Sequence, residues 1–176
     1  MMRYAGGDQA ALREIFRRYA PILLRLVQRQ VGRAADAQDV VQQTFLQLHR
    51  ARRDFRAEMR LRPWIMTIAL NLARDLLRRR GRRPEQLLEE EALPAASVTT
   101  QPDHDVARRV RAALSVLPRE QREVIELHWF EELSFTEIAT IVGASSGAVR
   151  VRAHRGYVTL RKTLEPEKSG VREDVS

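Results

Sequence analysis

The sequence predicts an all-α protein: two small helical domains joined by a flexible acidic linker, the second ending in a helix-turn-helix. Three observations lead there. Apolar residues recur at helical spacing along most of the chain, and no strand-like alternation appears. Residues 133–164 parse as helix, tight turn, helix. Charge falls in blocks: residues 5–83 carry 18 Arg and 7 acids, residues 84–105 carry 6 acids and no Lys or Arg, and residues 106–165 carry 10 basic and 7 acidic side chains. The boundaries that follow are an N-terminal domain over 5–83, a linker over 84–102, a C-terminal domain over 103–165 and a polar tail over 166–176.

The first helix starts at Asp8, a side chain suited to accept from orphan backbone N–H groups. Leu12, Ile15, Phe16, Tyr19, Leu23 and Leu26 form its apolar stripe. Pro21 lies inside the pattern and should kink or loosen the helix, and Gly32 ends it. A second helix is capped by Asp36, with Asp39 at the third position, and buries Val40, Val41, Thr44, Phe45 and Leu48. Residues 52–62 have no clean period and read as a loop. Pro63 suits the first turn of a third helix, whose buried face is Trp64, Ile65, Ile68, Ala69, Leu72 and Leu76. That helix runs out into an Arg-rich end at 78–83, which reads equally as a solvated terminus or a polyanion contact.

The linker holds three Pro and four acids. Helix resumes over 103–116 with Val106, Val110, Ala113 and Leu114 inward. Pro118 starts the next helix, with Val124, Ile125 and Leu127 as its core face. Ser134 and Glu137 have the spacing of a capping box, and Ile138, Ala139 and Val142 make the apolar side of the helix they open. Gly143 allows the left-handed backbone of a sharp turn. Ser145 caps the last helix. Its Val149, Ala153, Gly156 and Leu160 share one face and are expected to pack on the preceding helix. Ser146, Arg150, Val151, His154 and Arg155 share the opposite face.

A short helix, a Gly turn and a longer basic helix suit a recognition helix in a DNA major groove. The alternative is an ordinary helical hairpin with a solvated Arg face. The net charge of +8 favours a polyanionic partner, although 29 of the 31 basic residues are Arg, which a codon bias would also produce.

Other chemistry finds no support. There is no Cys, so no disulfide framework and no thiolate ligand or nucleophile. His49, His104, His128 and His154 lie far apart and lack metal-ligand spacing. No Gly-rich phosphate loop is present. No metal, no cofactor and no enzymatic role are expected. No apolar run is long enough to span a membrane and no signal-peptide core is visible, so a cytoplasmic protein is the default.

Four stretches resemble a known family: GDQAALREIFRRYAP at Gly7–Pro21, DAQDVVQQTFLQL at Asp36–Leu48, RPWIMTIALNLARDLLRR at Arg62–Arg79 and LPREQREVIELHWFEELSFTEIATIVGASSGAVRVRAHR at Leu117–Arg155. Together they resemble the extracytoplasmic-function (ECF) sigma factors of bacterial RNA polymerase. The resemblance runs from about Gly7 to Leu164. Any one stretch is moderately specific; all four in this order, around an acidic linker, are highly specific.

The resemblance implies a subunit that directs promoter-specific transcription initiation. Its first domain would bind the clamp helices of the polymerase's large subunit and open the minus-ten element. Its second would read the minus-thirty-five element as duplex, while the linker threads through the polymerase. The implied clamp-binding residues are Asp39, Val40, Gln42, Gln43, Phe45 and Leu46, some of which must also serve the core. Phe55 and Asn71 match positions that hold a flipped base, with Arg74 and Arg78 on the same minus-ten helix. Ser146, Arg150, Val151, Arg152, His154 and Arg155 match positions of the recognition helix. The implied partners are core RNA polymerase, promoter DNA as duplex and single strand, and an anti-sigma factor, with no membrane insertion.

The chain departs from the family's pattern in places. Gln43 stands where an acid is usual, and His49 where an aromatic is common. Ala148 and Val151 replace the usual Thr and Ser, so hydroxyl contacts to DNA are lost there. The chain starts only a few residues before Gly7, so the first helix is expected to lack its usual start. Two other readings stand beside this one. A free-standing helix-turn-helix regulator explains residues 134–164 but leaves 36–48 and 64–79 without a role. A decoy that occupies polymerase without initiating gains slight support from the lost hydroxyls.

Overall fold

The computed structural model describes residues 1–56, 58–81 and 104–164. The linker over 84–102 and the tail over 166–176 lie outside the described residues. Within them the chain is helical, with no strand. It divides into two units.

The first unit contains α1 (Met2–Ala5), α2 (Gln9–Val31), α3 (Ala34–Arg50) and α4 (Leu61–Gly81). Here α2 packs on both α3 and α4, and α3 packs on α4. Leu23, Leu26 and Val27 of α2, Ala37 and Leu48 of α3, and Ile65, Met66 and Ala69 of α4 are fully buried. The Asp8 carboxylate accepts from the backbone of Ala10 at 2.9 Å and of Ala11 at 3.2 Å, so α2 has a complete N-cap. One short turn of helix, α1, precedes it. Tyr4 from that turn is buried, with its hydroxyl against Nδ1 of His49. The α2 helix runs unbroken past Pro21, which sits on its exposed side.

Two expectations need correcting in this unit. Asp36 does not cap α3: the helix begins at Ala34, and Arg33 stands at the cap without a side-chain bond. Asp36 lies in the first turn, where a negative charge favours the helix dipole. Its carboxylate pairs with Arg80 at the end of α4. Part of the Arg-rich end is thus a tie between two helices. The buried arc of α4 is also wider than one stripe. Met66, Leu70 and Ala73 are buried, while Trp64, Ile68, Leu72 and Leu76 are half-buried. A helix wedged between two neighbours buries two flanks, and a single apolar period describes only one.

The second unit contains α5 (His104–Ser115), α6 (Arg119–Trp129), most of α7 (Phe135–Val142) and α8 (Ser146–Leu164). Leu114, Leu117 and Ile125 form a core cluster that Tyr157 and Leu160 cover. Val106 and Val110 are exposed rather than inward, at 57% and 36%. The core that α5 joins is built at its C-terminal end, around Ala113 and Leu114. On α6, Val124, Ile125 and Leu127 are buried as expected. Glu123 and Glu126 are buried beside them, each with a partner.

The capping box is complete. Ser134 Oγ accepts from the Glu137 backbone at 3.3 Å, and the Glu137 carboxylate accepts from the Ser134 backbone at 3.0 Å. Gly143 ends α7 at φ 66° and ψ 41°, a left-handed conformation. The apolar face of α8 packs on α6 and α5. The reason is visible at Gly156, where the absent side chain lets α8 approach Ile125 of α6.

Candidate functional site

Three surfaces stand out, two on the first unit and one on the second. On the second unit, α8 presents its polar face outward. Ser145 Oγ accepts from the Ala148 backbone at 3.1 Å, which orders the start of the helix. Arg150, Val151, His154 and Arg155 are exposed, and Ser146 at the first turn is half-buried. These five share one face, as the spacing predicts. Arg152 does not join them. It is half-buried, and its Nη2 lies 2.9 Å from the Glu120 carboxylate of α6. In this structure it braces α8 on α6.

The mounting of α8 uses side chains that the helical period did not single out. Trp129 Nε1 donates to the Tyr157 hydroxyl at 2.9 Å, tying the end of α6 to α8. The His128 ring stacks on Phe135 at 4.6 Å, and its Nδ1 lies 2.8 Å from the Leu133 carbonyl. Those contacts hold the entry to α7. The Trp129–Tyr157 bond joins residues far apart in sequence on different helices, so no local pattern announces it.

On the first unit, one surface is the exposed side of α4. Asn71, Arg74 and Arg78 follow one another at helical spacing there. Arg74 Nη1 donates to Asn71 Oδ1 at 2.8 Å. Arg78 Nη2 donates to Asp75 at 2.8 Å. Phe55 departs from this group. It is only 7% exposed, and its ring packs against Trp64 with centroids 5.2 Å apart. Phe55 seals the loop before α4 onto the core, which is the commonest fate of a large aromatic at an apolar junction.

The other surface is an open apolar groove of about 960 Å³ between α2 and α3. Leu12, Phe16 and Leu24 line one wall; Gln42, Phe45 and Leu46 line the other. Phe16 and Phe45 meet across it with ring centroids 4.7 Å apart. Phe16 is 53% exposed and Leu46 is 44% exposed, unusual for side chains of this size. Of the remaining residues expected here, Asp39 and Gln43 lie on the other flank of α3. They border a smaller recess of about 160 Å³ toward α4. Val40 is buried at 5% and belongs to the core. Phe16 and Leu12 were legible only as part of the α2 stripe; nothing local marks them as surface.

Among the described residues no group of three or more His, Asp or Glu is arranged to hold a metal. None of the described helices is long and apolar enough to cross a membrane.

Comparison with known proteins covers most of the chain. Residues 15–83 match the family model described as Sigma-70 region 2, and residues 107–160 match Sigma-70, region 4. The chain is 39% identical to the RNA polymerase sigma factor CarQ of Myxococcus xanthus, over 93% of this chain and 95% of CarQ. It is 36% identical to the ECF RNA polymerase sigma factor SigE of Mycolicibacterium smegmatis, over 94% of this chain and 67% of SigE. Among solved structures it resembles CnrH in complex with the cytosolic domain of CnrY, with TM-score 0.70 and 30% identity over 93% of each chain. The sigma factor RpoE of Bartonella quintana, solved with the anti-sigma factor NepR, matches with TM-score 0.74 and 23% identity over 89% of this chain and 98% of that one; this likeness bears on the fold alone.

Proposed function

The chain belongs to the ECF sigma factors of the sigma-70 family, and on that premise we propose that it binds core RNA polymerase and directs promoter-specific initiation. The N-terminal domain, residues 5–83, engages the polymerase clamp helices and captures the melted minus-ten element. The linker over 84–102 spans the polymerase. The C-terminal domain, residues 103–165, reads the minus-thirty-five element as duplex.

The observation that carries the reading is the groove between α2 and α3. Exposed Phe16 and Leu46 flank Phe45, whose ring is tilted against that of Phe16, a surface suited to the apolar stripe of a partner helix. Burying such side chains is worth roughly 1.5–3 kcal/mol each. On this reading Gln42, Phe45 and Leu46 make the main clamp contact, and Asp39 and Gln43 flank it. A free-standing DNA-binding regulator gives this groove no role. On α8, exposed Arg150 and Arg155 flank Val151 and His154, which suits major-groove and phosphate contacts. Asn71, Arg74 and Arg78 of α4 supply amide and guanidinium groups to the opened strand. An anti-sigma partner is part of the same proposal. The structure of CnrH bound to the cytosolic domain of CnrY supports a protein partner for this fold.

In-vitro transcription with purified core polymerase across a promoter library tests the reading. Initiation from a defined subset of promoters is expected. Tight, sequence-specific binding to duplex DNA without polymerase would instead favour the free-standing regulator. Core binding without initiation would favour the decoy.

A further inference from the structure

Asn71 and Arg74 stand one turn apart on the outer side of α4, and Arg74 Nη1 donates to Asn71 Oδ1 at 2.8 Å. A guanidinium has N–H donors and no acceptor, whereas a side-chain amide accepts at one end and donates at the other. Only the oxygen end of Asn71 can face Arg74. The orientation of the amide is therefore set by chemistry, and its Nδ2 end is turned away from Arg74. Asn71 is exposed and makes no other side-chain hydrogen bond among the described residues. Its two Nδ2 hydrogens are open to a ligand.

We propose that Arg74 is a positioning residue for base specificity: it holds the Asn71 amide so that α4 offers a hydrogen-bond donor, and not an acceptor, to a base swung out of the opened strand. This rests on the reading above that Asn71 meets such a base. A base edge that sets a carbonyl oxygen or a bare ring nitrogen against Nδ2 is accepted. An edge that sets an amino group there leaves two donors facing each other and is rejected. Without Arg74 the amide turns over freely, because the terminal torsion of Asn is broad and roughly two-fold. One orientation then suits each kind of edge. Arg74 in this way converts a side chain of both hydrogen-bonding senses into one of a single sense.

The test uses the full chain bound to core polymerase, on templates with a pre-opened bubble. Each template carries one of the four bases at one minus-ten position. The wild type should favour one base over the amino-edge alternatives by about fivefold at a single position, as one hydrogen bond implies. Arg74→Met keeps the aliphatic stem and removes the donor, so the preference there should flatten. Arg74→Lys keeps a donor and should preserve it. Asn71→Ala should flatten the same position, and adding Arg74→Met should flatten it no further. If Asn71→Ala flattens the preference and Arg74→Met leaves it intact, the positioning role is wrong and base capture by Asn71 survives. If Asn71→Ala changes no position, both are wrong. A loss in Arg74→Met that is uniform across bases, with a salt slope lower by about one and the preference at that position intact, makes Arg74 a phosphate contact alone and overturns the positioning role.

Discussion

Gly156 of α8 lies so close to Ile125 of α6 that a Cβ at this position would stand 2.5 Å from Ile125 Cδ1. A side chain there would also meet Gln121 Cβ at 3.5 Å. Helix α8 is therefore seated by a missing side chain. Glu120–Arg152 and Trp129–Tyr157 fasten the same helix pair.

Gly156→Val should destabilise the C-terminal unit by about 1–3 kcal/mol, the range for overpacking a well-filled core. Ile125→Val in the same chain should recover part of the loss, because it removes the methyl that collides. Chemical denaturation of the three variants measures this. Equal stability of Gly156→Val and wild type would mean that α8 is seated elsewhere.

Leu46→Asp should leave the fold intact and impair core binding. Its side chain is nearly half exposed, so the change in stability should stay within roughly 0.5 kcal/mol. A charge placed in an apolar contact should weaken polymerase capture by roughly tenfold or more, about 1.4 kcal/mol. Pull-down with purified core, alongside a thermal melt, separates the two effects. Leu48→Asp is the contrasting change: Leu48 is fully buried, and that variant should lose the fold itself.

Arg155 and Arg150 are expected to divide the DNA contacts. Arg155 lies one turn past Val151 on the exposed face, where a guanidinium can bond guanine bidentately. Arg155→Ala should cost roughly 1–3 kcal/mol and change the preferred base at one upstream position. Arg150→Ala should weaken all sites alike and lower the salt slope by about one. Transcription from base-substituted upstream elements, read at two salt concentrations, distinguishes them. A uniform loss for Arg155→Ala would exchange the assignments.

The cap of α2 should fade in acid. Backbone N–H of Ala11 and the Arg3 side chain hold the Asp8 carboxyl below its ordinary value of 3.8. A carboxyl lowered on folding adds stability above its unfolded value, and loses it as pH falls through the folded one. Wild type should thus exceed Asp8→Asn in melting temperature at neutral pH, and the gap should close below pH 3.8. A gap that does not depend on pH would mean that the carboxylate charge plays no part.

What the sequence determined by itself was whatever a single turn of backbone settles. Asp8 caps α2, Ser134 and Glu137 close their box, Gly143 turns left-handed and Ser145 starts α8, because each partner lies within a few residues. The exposed face of α8 was legible for the same reason: helical spacing alone separates Arg150, Val151, His154 and Arg155 from Val149 and Ala153.

Tertiary structure decided what depends on neighbours. Asp36 pairs with Arg80 across the unit rather than capping its own helix, and Arg152 serves Glu120 rather than the outer face. The α4 helix buries Met66, Leu70 and Ala73 because it has two neighbours, while among the described residues α5 joins the core at Ala113 and Leu114 and leaves Val106 and Val110 exposed. Phe16 lies open in a groove that exists only once α2 and α3 pack. A hydrophobic period says that a face prefers burial; it carries no information on which helix will cover that face, or how far along it. Those outcomes follow from the packing of side chains distant in sequence, which only the assembled fold specifies.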